Sequence, residues 1–395
     1  MSLLNKNIND ITYEDIEQLV NVDKPAENEF LDYKRELPRN KIHELISAFA
    51  NTYGGWIIIG VSEDSNTNQP KEIVGVEEDN LSAIIESICI DRISPPVFCN
   101  CRFVENESKD KRVFIIKVDE SDLTPHAVDY NTTVYIKIKE QKRPYKKADL
   151  DRIEWLRNRR KRFEELRETL IQKNQARVNA IFGDSKKNTA YSEFTILPKY
   201  PRTTLLDERE LLEYIRKEVQ PNPIETKTAN NCVTFLNHNN KENFSEYNTF
   251  GGYYNFVQRN HTHIDEPGLL NKKLLVLNEI LGNLLTNMYL GQKFLTTLSV
   301  HGKILLSYSL SNIKGNTIAW KKERRGIPQP QIELNSLVDN SFEYRKEIEL
   351  TEFSNNLFEL FREMVDNLVF SLGGGELYNR NVSNNAAEII RQIYI

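Results

Sequence analysis

The sequence has few cysteines and no long apolar run. Its 395 residues contain four cysteines, too few for a disulfide framework in a chain of this size: Cys89, Cys99, Cys101 and Cys232. No run of about 20 apolar residues is available to span a bilayer, and the polar, Asn-rich opening Met1–Asp10 differs from a signal peptide. We therefore expect a cytoplasmic protein with reduced thiols and no membrane partner.

Two cofactor signals are also missing. The chain has no G-x-x-x-x-G-K-[ST] phosphate-binding loop, which argues against nucleotide hydrolysis and ATP. Cys99 and Cys101 would place both thiols on one face of a strand, but no second Cys/His pair with convincing spacing follows. We expect core thiols there rather than zinc.

The composition is that of a folded protein with more than one core. Hydrophobic residues make up 39% of the chain and aromatic residues 10%, enough for packed structure, and 395 residues favour two domains. Predicted helices alternate with predicted strands, which indicates the α+β class. We place the first domain at residues 1–182, ending in a long basic helix, and the second, also α+β, at residues 190–395.

Carboxylates gather near the N-terminus. Glu27 precedes a predicted strand that contains Asp32, and Glu63 follows the predicted strand Trp56–Val61. Oxygen ligands of this kind suit Mg²⁺ or Mn²⁺, and such an ion can assist phosphodiester cleavage. We therefore predict Glu27, Asp32 and Glu63 as metal ligands and catalytic residues. Lys34 shares a strand face with Asp32, where it could neutralise a phosphate beside the metal or pair with these acids.

A longer pattern surrounds these acids and resembles the Schlafen-type AlbA domain. In order along the chain it consists of Glu27, Leu31-Asp32-Tyr33-Lys34, Phe49-Ala50-Asn51-Thr52-Tyr53-Gly54-Gly55 and Gly60-Val61-Ser62-Glu63. The likeness covers about residues 10–165. Two side-chain lengths are exchanged, because the second acid of the family is usually Glu and the third is usually Asp.

The resemblance implies an activity and its site. In vertebrate Schlafen proteins three carboxylates form the active site of an endoribonuclease that cleaves tRNA and rRNA, and they correspond here to Glu27, Asp32 and Glu63. Many bacterial relatives are described as DNA-binding or regulatory proteins. Vertebrate Schlafens also pair two related lobes into one RNA-gripping cleft, so we expect this chain, with one such lobe, to form a homodimer.

The segment from Lys137 to Arg162 is strongly basic, with twelve Lys/Arg against four Asp/Glu, in a chain whose net charge is −5. Such a cluster binds phosphates in a salt-sensitive manner. It could also be the solvated face of an amphipathic helix. We predict that seven of its residues contact nucleic acid: Lys142, Arg143, Lys146, Lys147, Arg157, Arg159 and Arg160.

The second half carries apolar helical stripes and no catalytic motif. One helix is predicted at about Leu269–Leu290, a β-hairpin at Phe294–Leu310, and a last helix at about Glu352–Phe370. By exclusion, this half is predicted to sense a ligand, to oligomerise or to orient a substrate.

Two functions follow from these patterns. The first is a metal-dependent endoribonuclease acting on structured RNA such as tRNA, as a regulated defence or stress effector. The alternative is a non-catalytic DNA- or RNA-binding regulator with a C-terminal sensor domain, in which the carboxylates pair with neighbouring basic residues.

Overall fold

The structure is a computed structural model in which helices and strands alternate, confirming the α+β class. It describes residues 6–108, 111–128, 132–138, 145–183, 189–201, 206–219, 225–229, 232–236, 243–259, 274–298, 300, 302–319, 340–373, 386–388 and 390–391. The chain divides into an N-terminal unit, Met1–Glu165, and a C-terminal unit, Leu166–Ile395. Among the described residues, no helix has the length and apolar character needed to cross a membrane.

Among the residues that the structure describes, the α-helices that begin in the N-terminal unit are α1 (Tyr13–Glu17), α2 (Ile42–Ala50), α3 (Leu81–Asp91), α4 (Leu150–Arg157) and α5 (Arg159–Phe182). Its strands are β1 (Leu31–Lys34), β2 (Gly55–Ile59), β3 (Val61–Glu63), β4 (Pro70–Ile73), β5 (Cys99–Glu105), β6 (Arg112–Val118), β7 (Ala127–Val128), β8 (Thr133–Lys137) and β9 (Tyr145–Lys147). The boundary between the units falls within α5, whereas the sequence placed the domain boundary after this helix.

The central sheet of the N-terminal unit has the strand order β1-β2-β6-β5. Strands β1 and β2 are parallel, and the other two pairs are antiparallel. Side chains alternate between the faces of a strand, so Leu31 and Tyr33 enter one apolar core with Trp56 and Ile58. Asp32 therefore lies on the opposite face, where the side chains of α2 form the second core.

The end of α2 is joined to strands β7 and β8 by Asn51. Its amide group donates to the carbonyl oxygens of His126 (2.8 Å) and Tyr135 (2.9 Å), and its side-chain oxygen accepts from the His126 amide at 2.7 Å. Asn51 is fully buried, so these bonds satisfy backbone groups that water does not reach. This residue fixes where β8 lies against α2.

The two glycines after α2 make the turn into β2. Gly54 has a left-handed φ of +66°, and a Cβ there would lie 2.5 Å from the Val118 carbonyl oxygen. A Cβ on Gly55 would lie 2.4 Å from the Phe49 ring. Glycine is required at both positions because a larger residue would collide with its surroundings.

The C-terminal unit is built on a seven-stranded antiparallel sheet. Its elements are β10 (Ala190–Pro198), α6 (Glu208–Tyr214), β11 (Glu225–Ala229), β12 (Cys232–Leu236), β13 (Asn243–Asn248), β14 (Tyr253–Arg259), β15 (Leu274–Val276), α7 (Leu277–Thr297), β16 (Lys303–Ser311), β17 (Thr317–Ala319), β18 (Ser341–Glu349), α8 (Leu350–Asn355) and α9 (Leu357–Gly373). The sheet order is β11-β12-β13-β14-β10-β16-β18. Residues of α7 and α9 share the main core with one face of this sheet.

Two predictions for this half were wrong. Phe294 and its neighbours continue helix α7 to Thr297 rather than forming a hairpin strand, and Ile304–Leu310 lies within β16, which pairs with β10 and β18. The last helix is two helices, α8 and α9. Apolar spacing alone did not distinguish the end of a buried helix from a buried strand.

We predict that Asn51→Ala destabilises the N-terminal unit by about 3 kcal/mol, because it leaves buried backbone groups without partners. Urea unfolding followed by tryptophan fluorescence measures this, since Trp56 and Trp155 lie in that unit. The matched control is Asn66→Ala in the exposed β3–β4 loop, expected to change stability by less than about 0.5 kcal/mol. Equal effects of the two substitutions would contradict the anchoring role of Asn51.

Candidate charged site beside strand β1

Asp32 is the centre of a cluster of charged side chains. It lies in β1, at the edge of the sheet, and its side chain is 0% exposed. Its Oδ1 accepts a hydrogen bond from the Lys34 ammonium, and its Oδ2 accepts one from Lys137 Nζ at 3.0 Å. Burial by itself would raise the pKa of Asp32, but Lys137 and Lys34 outweigh it and hold that pKa below its usual range.

Lys137 is the site residue that the sequence analysis missed. It ends β8, its side chain is 0% exposed, and its ammonium lies 4.4 Å from the centre of the Phe49 ring. Its backbone N–H donates to the Thr52 hydroxyl at 2.9 Å. Burial lowers the pKa of Lys137, and Asp32 opposes this. The sequence did contain an indication of this role. Lys137 lies two residues after Tyr135 in the same strand, so both side chains point to the buried face, where a lysine needs a carboxylate partner.

Glu27 precedes β1 and folds back onto it. Its Oε1 accepts the Tyr33 backbone N–H at 2.7 Å and lies 3.3 Å from Lys34 Nζ, and its side chain is only 8% exposed. Burial, followed by the charge of Asp32, raises the pKa of Glu27 from 4.5 to about 8, while Lys34 and the Tyr33 N–H oppose this shift. Glu27 therefore exchanges a proton near neutral pH.

Lys34 lies between the two acids. Its ammonium contacts Glu27 and Asp32, donates to the Tyr33 carbonyl oxygen at 2.7 Å, and is the more exposed of the two lysines, with 26% of its side chain accessible. Burial would lower the pKa of Lys34, but Asp32 and Glu27 together raise it. Of the two roles left open by the sequence, the structure shows the ion pair with the acids.

Glu63 lies at the exposed end of β3, next to a bulge in the pairing with β4. Its negative charge contributes to the electrostatic field at Glu27 and Lys34, although less than the nearer groups do. In the part of the chain that the structure describes, no three His, Cys, Asp or Glu side chains are grouped closely enough to hold one metal ion.

The carboxylates have the chemistry that Mg²⁺ or Mn²⁺ prefers, but their arrangement does not fit an ion. Both oxygens of Asp32 already accept from ammonium groups, and Oε1 of Glu27 is shared by Tyr33 and Lys34. For Glu27 and Asp32 to bind a cation together, the Lys34 ammonium must leave its place between them.

The predicted nucleic-acid contacts are only partly accessible. Lys146 and Lys147 are exposed on β9, and Arg157 is exposed at the end of α4, where it lines a cavity of about 700 Å³. Arg160 is exposed on α5 and pairs with Glu164 at 3.0 Å. Lys142 and Arg143 lie outside the described residues.

The prediction for Arg159 was wrong. This residue is 2% exposed, forms an ion pair with Glu120, and donates to the carbonyl oxygens of Asn51 (3.3 Å) and Thr52 (2.7 Å). Its guanidinium caps the end of α2. Charge density in the sequence did not reveal this, because a buried arginine and an exposed one contribute equally to a basic run.

We predict that Lys137→Met destabilises the N-terminal unit by about 3 kcal/mol, because it removes one partner of a buried charge. Urea unfolding by tryptophan fluorescence is again the measurement. Adding Asp32→Asn should recover part of the loss, since the remaining group is then neutral. Simple additivity of the two single substitutions would argue that Asp32 and Lys137 do not act as a pair.

Stability should also depend on the protonation of Glu27. Because its folded-state pKa is raised, the folded protein binds the proton more tightly than the unfolded chain, so the stabilisation is complete below pH 4.5 and is lost as the pH rises through about 8. The unfolding free energy of the wild type should therefore fall relative to Glu27→Gln over that range. Glu72→Gln, at an exposed position of β4, is the matched control and should follow the wild type.

Comparisons with known proteins agree with the pattern in the sequence. Residues 27–146 match the family model described as "Schlafen, AlbA_2". No curated protein matches this chain. One solved structure, the N-terminal domain of a protein related to the ATP-dependent DNA helicase RecG from Nitrosomonas europaea, is 20% identical over 27% of this chain and 74% of that one. Its TM-score is 0.24, too low to support any argument. Over residues 27–146 the chain thus carries a domain of the Schlafen AlbA_2 family.

Proposed function

We propose that this protein is an endoribonuclease that acts on structured RNA such as tRNA, with its reactive groups in the cluster of Glu27, Asp32, Lys34 and Glu63. The Schlafen AlbA_2 match supports a nucleic-acid-related protein. RNA as the substrate, cleavage as the reaction and a homodimer as the assembly belong to the proposal.

The observation that carries the proposal is the concentration of charge beside β1. Asp32 and the Lys137 side chain are fully buried, and Glu27 is nearly so. Burying charged groups costs free energy even when they are paired. Apolar side chains of similar size at these positions would avoid that cost. Clusters with displaced pKa values are typical of functional sites. Lys34, with 26% of its side chain exposed, reaches the surface at one edge of this cluster, where a polyanion can approach.

Each residue of the cluster has its own role in the proposed reaction. Glu27, with a pKa of about 8, takes up or gives up a proton near neutral pH. The Lys34 ammonium stabilises negative charge on a phosphate oxygen. Lys137 keeps Asp32 ionised and in place. Lys146, Lys147, Arg157 and Arg160 bind the flanking backbone, as would Lys142 and Arg143; contacts to phosphates position RNA without reading its sequence.

Mg²⁺ or Mn²⁺ remains a prediction from the sequence. In the arrangement described above, Glu27, Asp32 and Glu63 do not fit an ion, because the Lys34 ammonium lies between Glu27 and Asp32. The roles given to the residues here therefore use no metal, and the Mn²⁺ and EDTA arms of the experiment below test the metal dependence.

One observation favours the alternative function. Lys34 and Lys137 together neutralise Asp32, which is the pairing expected of a DNA- or RNA-binding regulator whose acids are structural. In that case the N-terminal unit binds through its basic residues, and the C-terminal unit responds to a ligand or a partner.

The deciding experiment incubates the full chain with total tRNA, single-stranded DNA and double-stranded DNA, each with Mn²⁺ or with EDTA. We expect cleavage of tRNA with Mn²⁺ and a loss of at least about 100-fold in Glu27→Gln, the effect of removing a group that transfers a proton. Glu72→Gln, exposed on β4, should keep full activity.

Two other outcomes would change the proposal. Cleavage that persists in EDTA and still requires Glu27 supports the nuclease and rules out its metal dependence. Salt-sensitive binding of nucleic acid without cleavage, unchanged in Glu27→Gln, rules out the nuclease and supports the regulator.

A further inference from the structure

We propose that the ring of Tyr145 is a platform on which an unpaired base of the RNA stacks, beside the charged cluster of Glu27, Asp32, Lys34 and Lys137. The inference rests on the proposed function, because it names the part of the substrate that this place binds: a single-stranded nucleotide. It concerns binding of a base, which can be measured without cleavage.

Strand pairing places Tyr145 next to the cluster. Tyr145 begins β9, and its Cα partner in β8 is Lys137, the buried lysine that pairs with Asp32. Burial, followed by the hydrogen bond to Glu44, raises the pKa of the Tyr145 phenol, and the nearby charge of Asp32 adds to this shift. The phenol therefore stays neutral near neutral pH, so the ring adds no negative charge that would repel a polyanion.

The hydroxyl of Tyr145 already has a partner, and its ring is held in place. The hydroxyl donates to Oε2 of Glu44 in α2 at 3.0 Å. The ring meets that of Tyr135 almost at a right angle, with 5.4 Å between the ring centres, a contact that takes up at most one of its two faces. Tyr145 is only half-buried. A ring that is fixed and partly exposed loses little conformational freedom when a base stacks on it.

Positive charges follow the ring along the same strand. Lys146 and Lys147 come directly after Tyr145 in β9 and are exposed. Side chains alternate along a strand, so Lys147 shares a face with Tyr145 and lies about 7 Å from it along β9. Among the described residues, β9 is the edge strand of a sheet with the order β7-β8-β9.

An aromatic ring beside exposed cations suits a single strand of nucleic acid. The ring stacks with a base, while the ammonium groups contact the phosphates on either side of it. The bases of a duplex are stacked on one another and offer no free face, so such a platform selects unpaired nucleotides, as in the loops of a folded RNA.

The experiment measures binding of the full-length protein to two fluorescent ligands of equal length, by fluorescence anisotropy in EDTA. One ligand is an oligouridylate, and the other is the same ribose-phosphate chain without bases. We expect Tyr145→Leu to bind the oligouridylate about tenfold more weakly than the wild type, the effect of losing one stacked base. Its affinity for the abasic chain should equal that of the wild type.

Three control variants separate the ring from its surroundings. Tyr145→Phe removes the same hydrogen bond to Glu44 but keeps the ring, and it should bind both ligands as the wild type does. Tyr289→Leu removes an exposed tyrosine of α7 and should change neither affinity. Lys147→Gln should weaken the binding of both ligands alike, because it removes a contact to phosphates.

The inference fails on either of two results. One is an unchanged affinity of Tyr145→Leu for the oligouridylate, and the other is an equal loss for both ligands, because the ring would then not act through the base. If it fails while tRNA is still cleaved, the proposed nuclease stands. If binding depends on the base and on Tyr145 but no RNA is cleaved, the stacking platform stands and the nuclease is wrong.

A second measurement uses the wild type, so that it does not depend on how the variants fold. An oligouridylate that carries bromouridine is irradiated in complex with the protein, and the crosslinked peptides are identified by mass spectrometry. We expect a crosslink at Tyr145, because this base reacts with an aromatic ring that it contacts. Crosslinks confined to peptides without Tyr145 would place the bases elsewhere and reject the platform.

Discussion

The ion pair between Asp32 and Lys137 links two parts of the N-terminal unit that the chain separates by 105 residues. Asp32 belongs to the edge strand of the central sheet, and Lys137 ends a strand held against α2. Neither charge is stable in an apolar interior alone, so each requires the other at hydrogen-bonding distance. This requirement fixes the position of β8 and leaves one oxygen of Asp32 for Lys34.

The segment after α2 makes this pairing possible. Asn51 satisfies buried backbone groups of His126 and Tyr135, and the Thr52 hydroxyl accepts the backbone N–H of Lys137 itself. Arg159 binds the carbonyl oxygens at the same helix end, so the first residue of α5 is tied to α2. The segment Phe49–Gly55 therefore has a structural role. It holds in place the strands that carry the charged side chains, and it contributes none of those charges itself.

In the C-terminal unit, the feature that organises the fold is apolar packing on a sheet. Strand β16 alternates between buried and partly exposed positions along its whole length, and its buried side chains pack in the core shared with α7 and α9. The side of the sheet that faces Val178 and Phe182 of α5 carries a second, smaller core with Phe244, Tyr254 and Phe256. Apolar packing on both faces of the sheet accounts for the many aromatic residues of this half.

The sequence by itself determined the fold class, most of the helices and strands of the N-terminal unit, and the resemblance that the family match confirmed. These follow from local signals: periodic apolar residues, a double glycine and acids at fixed spacing. The sequence also pointed to Asp32, Glu27 and Lys34 as a group, because they lie within eight residues of one another. Only the tertiary structure showed that Lys137 completes the group, that Arg159 is buried, and that Lys34 lies between the acids. Burial and long-range pairing depend on which distant segments meet, and neither the charge nor the spacing of residues along the chain records that.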